Sequence, residues 1–196
     1  MGVLILNGDH KGHNKLTAIQ EILEDELKEA GWDTETFILN EYNIKGCTGC
    51  FKCWDTTPGI CTGIKGDDAN KIVEKVIQNE LLVFLTPLTF GGYSSELKAI
   101  IERMLGLLQP GQLIVDGESH HLKRYERYPS VLAFAVTDNL DKEEEVLFKK
   151  LLERHSRNFY PPMHKTEVFQ TKENEETIRD RVNKCIQKIN VGNKSG

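Results

Sequence analysis

VLILNGDHKGHNKLTAIQEILEDELKEAG, Val3 to Gly31, is the stretch that decides the fold. Val3 to Asn7 is a short apolar run ending at Gly8, the pattern of a strand buried on both faces; an edge strand would alternate polar and apolar residues. From Asn14 to Ala30, Leu16, Ile19, Leu23 and Leu27 recur at steps of three and four, which lines one face of a helix, and Gly31 supplies its stop. The chain therefore starts strand, loop, helix.

The same alternation continues outward. Trp32 to Leu39 reads as a second strand, Asp67 to Asn79 as a helix with acidic residues at its start, and Glu80 to Pro87 as a third strand. A helix from Ser94 to Leu108, capped by Ser94 or Ser95, precedes a fourth strand over Ser130 to Thr137. A helix from about Asp141 to Arg157, a strand over His164 to Thr171 and a helix from about Glu173 to Ile189 complete the series. Five strands alternating with five helices require a parallel sheet with helices on both faces, because each right-handed crossover lays its helix on a sheet face. The expected fold is doubly wound α/β, as one domain over residues 1–196. In such sheets a ligand sits beyond the carboxyl ends of the strands, where the strand order reverses. The loops after the strands are thus where function is sought.

Composition sets the outer bounds. With 39% hydrophobic and 28% charged residues in 196, the chain has the balance of a soluble globular protein, and no apolar run approaches the roughly 20 residues of a membrane span. MGVLILNGDH carries no basic leader or long apolar stretch, so the expectation is a cytoplasmic protein with no membrane partner. A net charge of −5 offers no general attraction to phosphate backbones, which sets nucleic acid aside as a partner.

The loop after the first strand runs from a buried strand to a helix N-terminus, where free N–H groups and the helix dipole favour a phosphate. His10, Lys11, His13 and Lys15 reinforce that reading, against the plainer one of a solvated polar turn. Neither a Walker motif nor G-x-G-x-x-G is present to specify a nucleotide. After the third strand comes TPLTFGGYSS, Thr86 to Ser95, whose glycines allow a flat ligand to approach the backbone while Phe90 and Tyr93 offer aromatic surface. Cys47, Cys50, Cys53 and Cys61 fall within fifteen residues. In a reducing compartment such a cluster is more often metal-binding or redox-active than a disulfide framework. The Thr56 to Gly59 segment must make the turn that returns Cys61 to the other three. Cys185 reads as a half-buried helix residue, and His155 and His164 receive no role.

These loops, in this order, resemble the flavodoxin-like NAD(P)H-dependent FMN reductases, including the iron–sulfur flavoproteins. Members typically read like G-S-P-R-x-x-x-N-T in the first loop and T-P-x-Y-F-G-x-x-S-x-x-L-K in the third. The resemblance implies a five-stranded parallel sheet of order 2-1-3-4-5. It implies FMN, with Gly8, Asp9, Lys11, His13, Asn14 and Lys15 around its phosphate, Pro87, Leu88, Thr89, Phe90, Gly91 and Gly92 edging the ring, and Thr137, Asp138 and Asn139 completing the pocket. Asp9 stands where the family has a serine and Lys15 where it has a threonine; a carboxylate there opposes a phosphate unless it turns away or pairs with a lysine. The cysteine spacing C-x2-C-x2-C-x7-C resembles the motif whose four thiolates hold a [4Fe-4S] cluster. Plain FMN reductases of the same family carry a similar loop, so a cluster and a structural or redox-capable loop both stay open, with zinc or inert thiols behind them.

The expected function is hydride or electron transfer from NAD(P)H, as co-substrate, through FMN to an unknown small-molecule or protein acceptor. The alternatives are an electron-transfer iron–sulfur flavoprotein and a non-enzymatic binding protein with weak FMN affinity. No side-chain acid, base or nucleophile is expected to be catalytic, since the flavin carries the chemistry. A homodimer or homotetramer is implied by resemblance alone. Gln109 to Pro129 shows no periodicity and reads as a long loop; His120, His121, Lys123, Arg124 and Arg127 either meet the phosphates of a nicotinamide donor or belong to a solvated or dimer-packing loop, the plainer and favoured reading.

Overall fold

Successive residues of the first strand enter different cores. In β1 (Gly2–Asn7), Val3 and Ile5 join one apolar cluster while Leu4 and Leu6 join another, the period of two that a strand covered on both faces must have. The computed structural model of the chain describes residues 2–9 and 14–193. After β1 come α1 (Asn14–Glu29), β2 (Asp33–Ile38), α2 (Ala69–Gln78), β3 (Leu81–Pro87) and α3 (Ser95–Arg103). The chain goes on through β4 (Leu108–Val115), β5 (Glu118–Lys123), β6 (Ser130–Thr137), α4 (Lys142–Phe159), β7 (His164–Gln170) and α5 (Glu175–Asn193).

β2, β1, β3, β6 and β7 form, in that order, one parallel sheet. Counting only its own strands, this is the expected order 2-1-3-4-5. One face is covered by α1 and α5, through Leu16, Ile19, Leu23, Ile178, Val182 and Ile186; the other by α2, α3 and α4, through residues such as Ile72, Leu97, Ile100, Phe148 and Leu152. Phe84, Phe134, Phe148 and Phe169 are each fully buried, and each contributes on the order of 1.5–3 kcal/mol of transfer free energy. Among the described residues no helix is long and apolar enough to cross a membrane.

The region expected to be an irregular loop is a β-hairpin. β4 and β5 pair antiparallel, with Val115 opposite Glu118, so the connection is the dipeptide Asp116-Gly117. Both residues have positive φ, +52° and +78°, the conformation of a two-residue primed turn that matches strand twist. Asp-Gly after the apolar run Leu113 to Val115 is the available signal. Half of its strand residues are exposed, and polar and apolar residues do not alternate cleanly along the two segments, which hides it. The helix expected over 94–108 ends at Arg103 and tightens into a 3₁₀ turn over Met104–Leu107; of the two expected caps it is Ser94 whose Oγ accepts the Leu97 N–H. Cys185, expected half-buried, lies in the α5 core, where burial pushes its thiol up to about 11.

Candidate functional site

Parallel pairing brings the carboxyl ends of β1, β3 and β6 side by side: Asn7 lies opposite Leu85, and Pro87 opposite Val136. The loop leaving β1 is held tightly where it is described. The Gly8 N–H donates to Leu85 O (2.8 Å), the Asp9 N–H donates to Asn7 Oδ1 (2.9 Å), and Asn40 Nδ2 donates to Asp9 O (2.9 Å). A Cβ on Gly8 would sit 2.5 Å from Ser94 Oγ and 2.8 Å from Leu97 Cβ, so only glycine lets this loop approach the start of α3. Asp9 is 8% exposed, folded against the strand ends. Lys11 and His13 lie outside the described residues, and Asn14 opens α1. Lys15 reaches away along α1, its Nζ donating to Glu173 O before α5 (2.8 Å). Asn7 and Asn40, which hold the loop, were missed in the sequence reading because their partners are local only in three dimensions.

The loop leaving β3 is a tight turn. Leu88 N–H extends the sheet by donating to Val136 O (2.8 Å), and Thr89 and Gly92 exchange both backbone hydrogen bonds (3.1 and 2.8 Å). Between them Phe90 and Gly91 both have positive φ, +49° and +70°. A phenylalanine on left-handed backbone is uncommon and costs on the order of 1–2 kcal/mol. That cost holds its ring out in water, 93% exposed. Tyr93, expected beside Phe90 as aromatic surface, points the other way. It packs edge-on to Phe84 and Phe148, and its hydroxyl lies 3.3 Å from His155 Nδ1, so burial pushes the phenol well above its ordinary range. Ser94 N–H donates to Thr86 Oγ1 (2.9 Å), tying the end of the turn to β3. After β6, Thr137 Oγ1 donates to Asn139 O (3.0 Å), with Asp138 and Asn139 exposed.

The cysteine loop rests on the turn that follows α3. Trp54 Nε1 donates to Leu105 O (3.0 Å), and at Gly106 an added Cβ would lie 3.1 Å from Gly59 O and 3.3 Å from Cys53 Cβ. Gly59, with φ +90°, lies in the segment returning Cys61, whose backbone N–H and C=O are both held by the Asn70 side chain on α2 (3.2 and 2.8 Å). All four thiols are free. The exposed Cys50 thiol is drawn below its ordinary value, chiefly by the Lys52 backbone N–H, whereas burial and the other three thiols push Cys53 up. Among the described residues no three His, Cys, Asp or Glu side chains are grouped so as to hold a metal ion. A cluster is a wider body than one ion, and the loop's set of four thiol donors matches it in kind.

Two of the hairpin cations, Lys123 and Arg124, are committed to the protein itself. Arg124 donates to Gly106 O (2.8 Å) and Leu108 O (2.9 Å), and Lys123 lies over the Tyr160 ring (4.9 Å). His120 is buried and His121 packs on Trp54 (4.8 Å between ring centroids), leaving Arg127 exposed. These contacts are made within the chain, a third role beside the dimer-packing and nicotinamide-phosphate ones expected.

A family model described as NADPH-dependent FMN reductase matches residues 1–115. An iron-sulfur flavoprotein of Archaeoglobus fulgidus is 33% identical over 103 residues, covering 53% of this chain and 48% of that protein. One from Methanocaldococcus jannaschii is 27% identical over 103 residues, covering 53% of this chain and 51% of that protein. The chain thus spans about half the length of the curated relatives it matches. An NAD(P)H:quinone oxidoreductase from Methanothermobacter marburgensis has the same fold, with TM-score 0.66 at 13% identity over 94% of this chain and 96% of that one.

Proposed function

The chain belongs to the NADPH-dependent FMN reductase family, and on that premise we propose that it is an FMN-dependent oxidoreductase using a reduced nicotinamide as donor. The observation that carries this is the Thr89–Gly92 turn, which spends backbone strain to hold Phe90 exposed at the carboxyl end of β3, beside the glycine loop of β1. In this reading Gly8, Asp9 and Asn14 lie toward the FMN phosphate and Lys11 and His13 would join them, whereas Lys15, expected there, is engaged by Glu173 O; Pro87 to Gly92 edge the ring, and Thr137, Asp138 and Asn139 close the site. Bound FMN supplies the hydride acceptor; the chain contributes orientation and a turn that Gly91 alone lets pass beside Leu147. A homodimer or homotetramer accompanies this reading, since Phe90, Val146 and Leu147 leave large apolar side chains exposed near the turn. The test is the visible spectrum of FMN-loaded protein mixed anaerobically with NADH or NADPH. Bleaching of the flavin bands by either donor is expected, and a protein that binds no FMN would overturn the reading.

Asp9→Ser restores the family's hydroxyl and removes a negative charge from the phosphate's surroundings. FMN should bind more tightly by something on the order of 1 kcal/mol in calorimetric titration. Unchanged or weaker binding would mean that the carboxylate, folded against the strand ends, serves the loop and leaves the ligand alone.

A second reading, that the cysteine loop also holds a [4Fe-4S] cluster, is favoured by four free thiols on one loop and by the iron–sulfur flavoprotein relatives. Cys47, Cys50, Cys53 and Cys61 would hold it, and the cluster would supply one-electron transfer. Anaerobically prepared or reconstituted protein should then carry about four irons per chain, and Cys50→Ser should lose most of that iron while retaining FMN, because the two groups use different loops. Iron absent from both preparations would leave the thiols as a structural or redox-capable loop.

A further inference from the structure

A line of polar side chains crosses the apolar face of the sheet that α1 covers, where Val3, Ile5, Leu16, Ile19 and Leu23 pack. Asn7, on the same face of β1 and 3% exposed, stands where the alternation calls for another apolar residue. It donates through Nδ2 to Gln20 Oε1 (2.7 Å), and Gln20 donates through Nε2 to Glu24 Oε1 (3.0 Å), one turn further along α1. Thr36 of β2 donates to the same Glu24 oxygen (2.6 Å). At the other end Asn7 Oδ1 accepts the Asp9 N–H (2.9 Å), while Asn40 Nδ2 donates to Asp9 O (2.9 Å), so asparagine side chains hold the backbone on both sides of Asp9. The line runs in one direction. A backbone N–H can only donate and a carboxylate can only accept, so each amide between Asp9 and Glu24 has a single orientation that satisfies both of its neighbours. A buried amide costs free energy unless it is bonded, and leucine would fill the place of Asn7 without that demand, so packing alone does not explain the chain of amides.

We propose that Asn7, Gln20 and Glu24 are positioning residues for the phosphate loop: together with Asn40, their one-way relay of hydrogen bonds fixes the backbone at Asp9 before FMN arrives. The inference rests on the flavin reading. Asp9 directly follows Gly8, whose approach to α3 tolerates no Cβ, so the loop leaves β1 through one fixed peptide. A loop ordered in advance removes the conformational entropy that binding would otherwise have to overcome, which is how side chains that touch no ligand raise affinity. Successive bonds of one direction polarise one another in the same sense, and the carboxylate at the end strengthens the bond it accepts. Gln20 and Glu24 thus act on the loop through Asn7.

The test compares two variants of the full chain by amide hydrogen exchange at Asp9 in FMN-free protein and by fluorescence titration with FMN. Gln20→Met keeps the side-chain length but removes the strong donor and acceptor, and should speed Asp9 exchange and weaken FMN binding by at least about tenfold each. Gln20→Glu combined with Glu24→Gln exchanges the two side chains and leaves every donor facing an acceptor: Glu at 20 accepts from Asn7 and from Gln at 24, whose carbonyl accepts from Thr36. This pair should return both readouts to within about threefold of the parent. Loss in the first variant with recovery in the second supports the proposal, because a residue that only fills space would tolerate methionine. Parent-like exchange and affinity in Gln20→Met, or equal losses in both variants, overturn it. Faster Asp9 exchange with unchanged FMN affinity also overturns it, and leaves the flavin reading standing. Should Gln20→Met fail to fold, Glu24→Met, at the partly exposed end of the relay, makes the same comparison. A parent that binds no FMN overturns this inference together with the flavin reading.

Discussion

Gly91→Val will bind FMN at least about tenfold more weakly than the parent, on the order of 1.4 kcal/mol, while its far-UV spectrum stays unchanged. Gly91 has φ +70°, a region that β-branched residues rarely adopt. A Cβ there would also lie 2.9 Å from Leu147 Cβ and 3.2 Å from Leu147 Cδ1, closer than neighbouring α4 can accept without moving. The residue before it, Phe90, already has positive φ, so the turn holds no spare freedom to absorb a second strained position. The turn must therefore rebuild, and with it the edge that faces the flavin. The sheet and helices do not depend on it, because Leu88 and Ser94 anchor both sides of the turn through Val136 O and Thr86 Oγ1. Titration of apoprotein with FMN, followed by flavin fluorescence, measures the loss. Binding equal to the parent's would show that the turn after β3 is not where the ring lies.

The second large effect is a loss of stability in acid, controlled by one histidine. His155 on α4 stacks on Tyr93, meets Phe159 edge-on, and has its pKa lowered to about 4, first by burial and then by the positive charge of Lys98. Its ordinary value is 6.5, so between the two values the unfolded chain binds a proton that the folded chain refuses. The sign follows: the stability due to neutral His155 is fully present above about pH 6.5 and is lost as pH falls toward 4. A gap of this size corresponds to about 3 kcal/mol. Urea unfolding across that range should show the fall, and His155→Phe, which fills the same aromatic niche without titrating, should flatten most of it. Burial lowers His164 in the same direction, and Asp67 adds a carboxylate contribution at more acid pH, so some slope will persist. A variant as acid-sensitive as the parent would place the effect elsewhere.

Features that depend on short-range pattern are legible along the chain. The apolar run of Val3 to Leu6, the three-and-four spacing of Leu16 to Leu27 and the uninterrupted burial of Leu81 to Pro87 state the fold, because strand and helix periods are local properties of the chain. The same holds for the functional loops, since a parallel sheet sends its strand ends to one edge whatever the loops contain. Asp116-Gly117 is equally local, but the segments flanking it carry no clean polar and apolar alternation to mark them as strands.

The direction in which particular side chains turn, and which distant residues meet, emerge from folding alone. Phe90 and Tyr93 sit three positions apart in one aromatic-bearing loop, yet one stands in solvent and the other is buried against α4; the reversal comes from two consecutive positive φ angles, which no composition encodes. Asp67 and Asp68 read as helix-start acids serving the dipole of α2. In the folded chain Asp67 pairs with Arg103 and Asp68 accepts the Asn43 N–H. Asn40 is likewise silent in the sequence, because its partner Asp9 is brought to it by the pairing of β1 with β2. Long-range electrostatic and hydrogen-bonding partners leave no periodic trace along a chain, since the energy that selects them arises only after the sheet has brought the loops together.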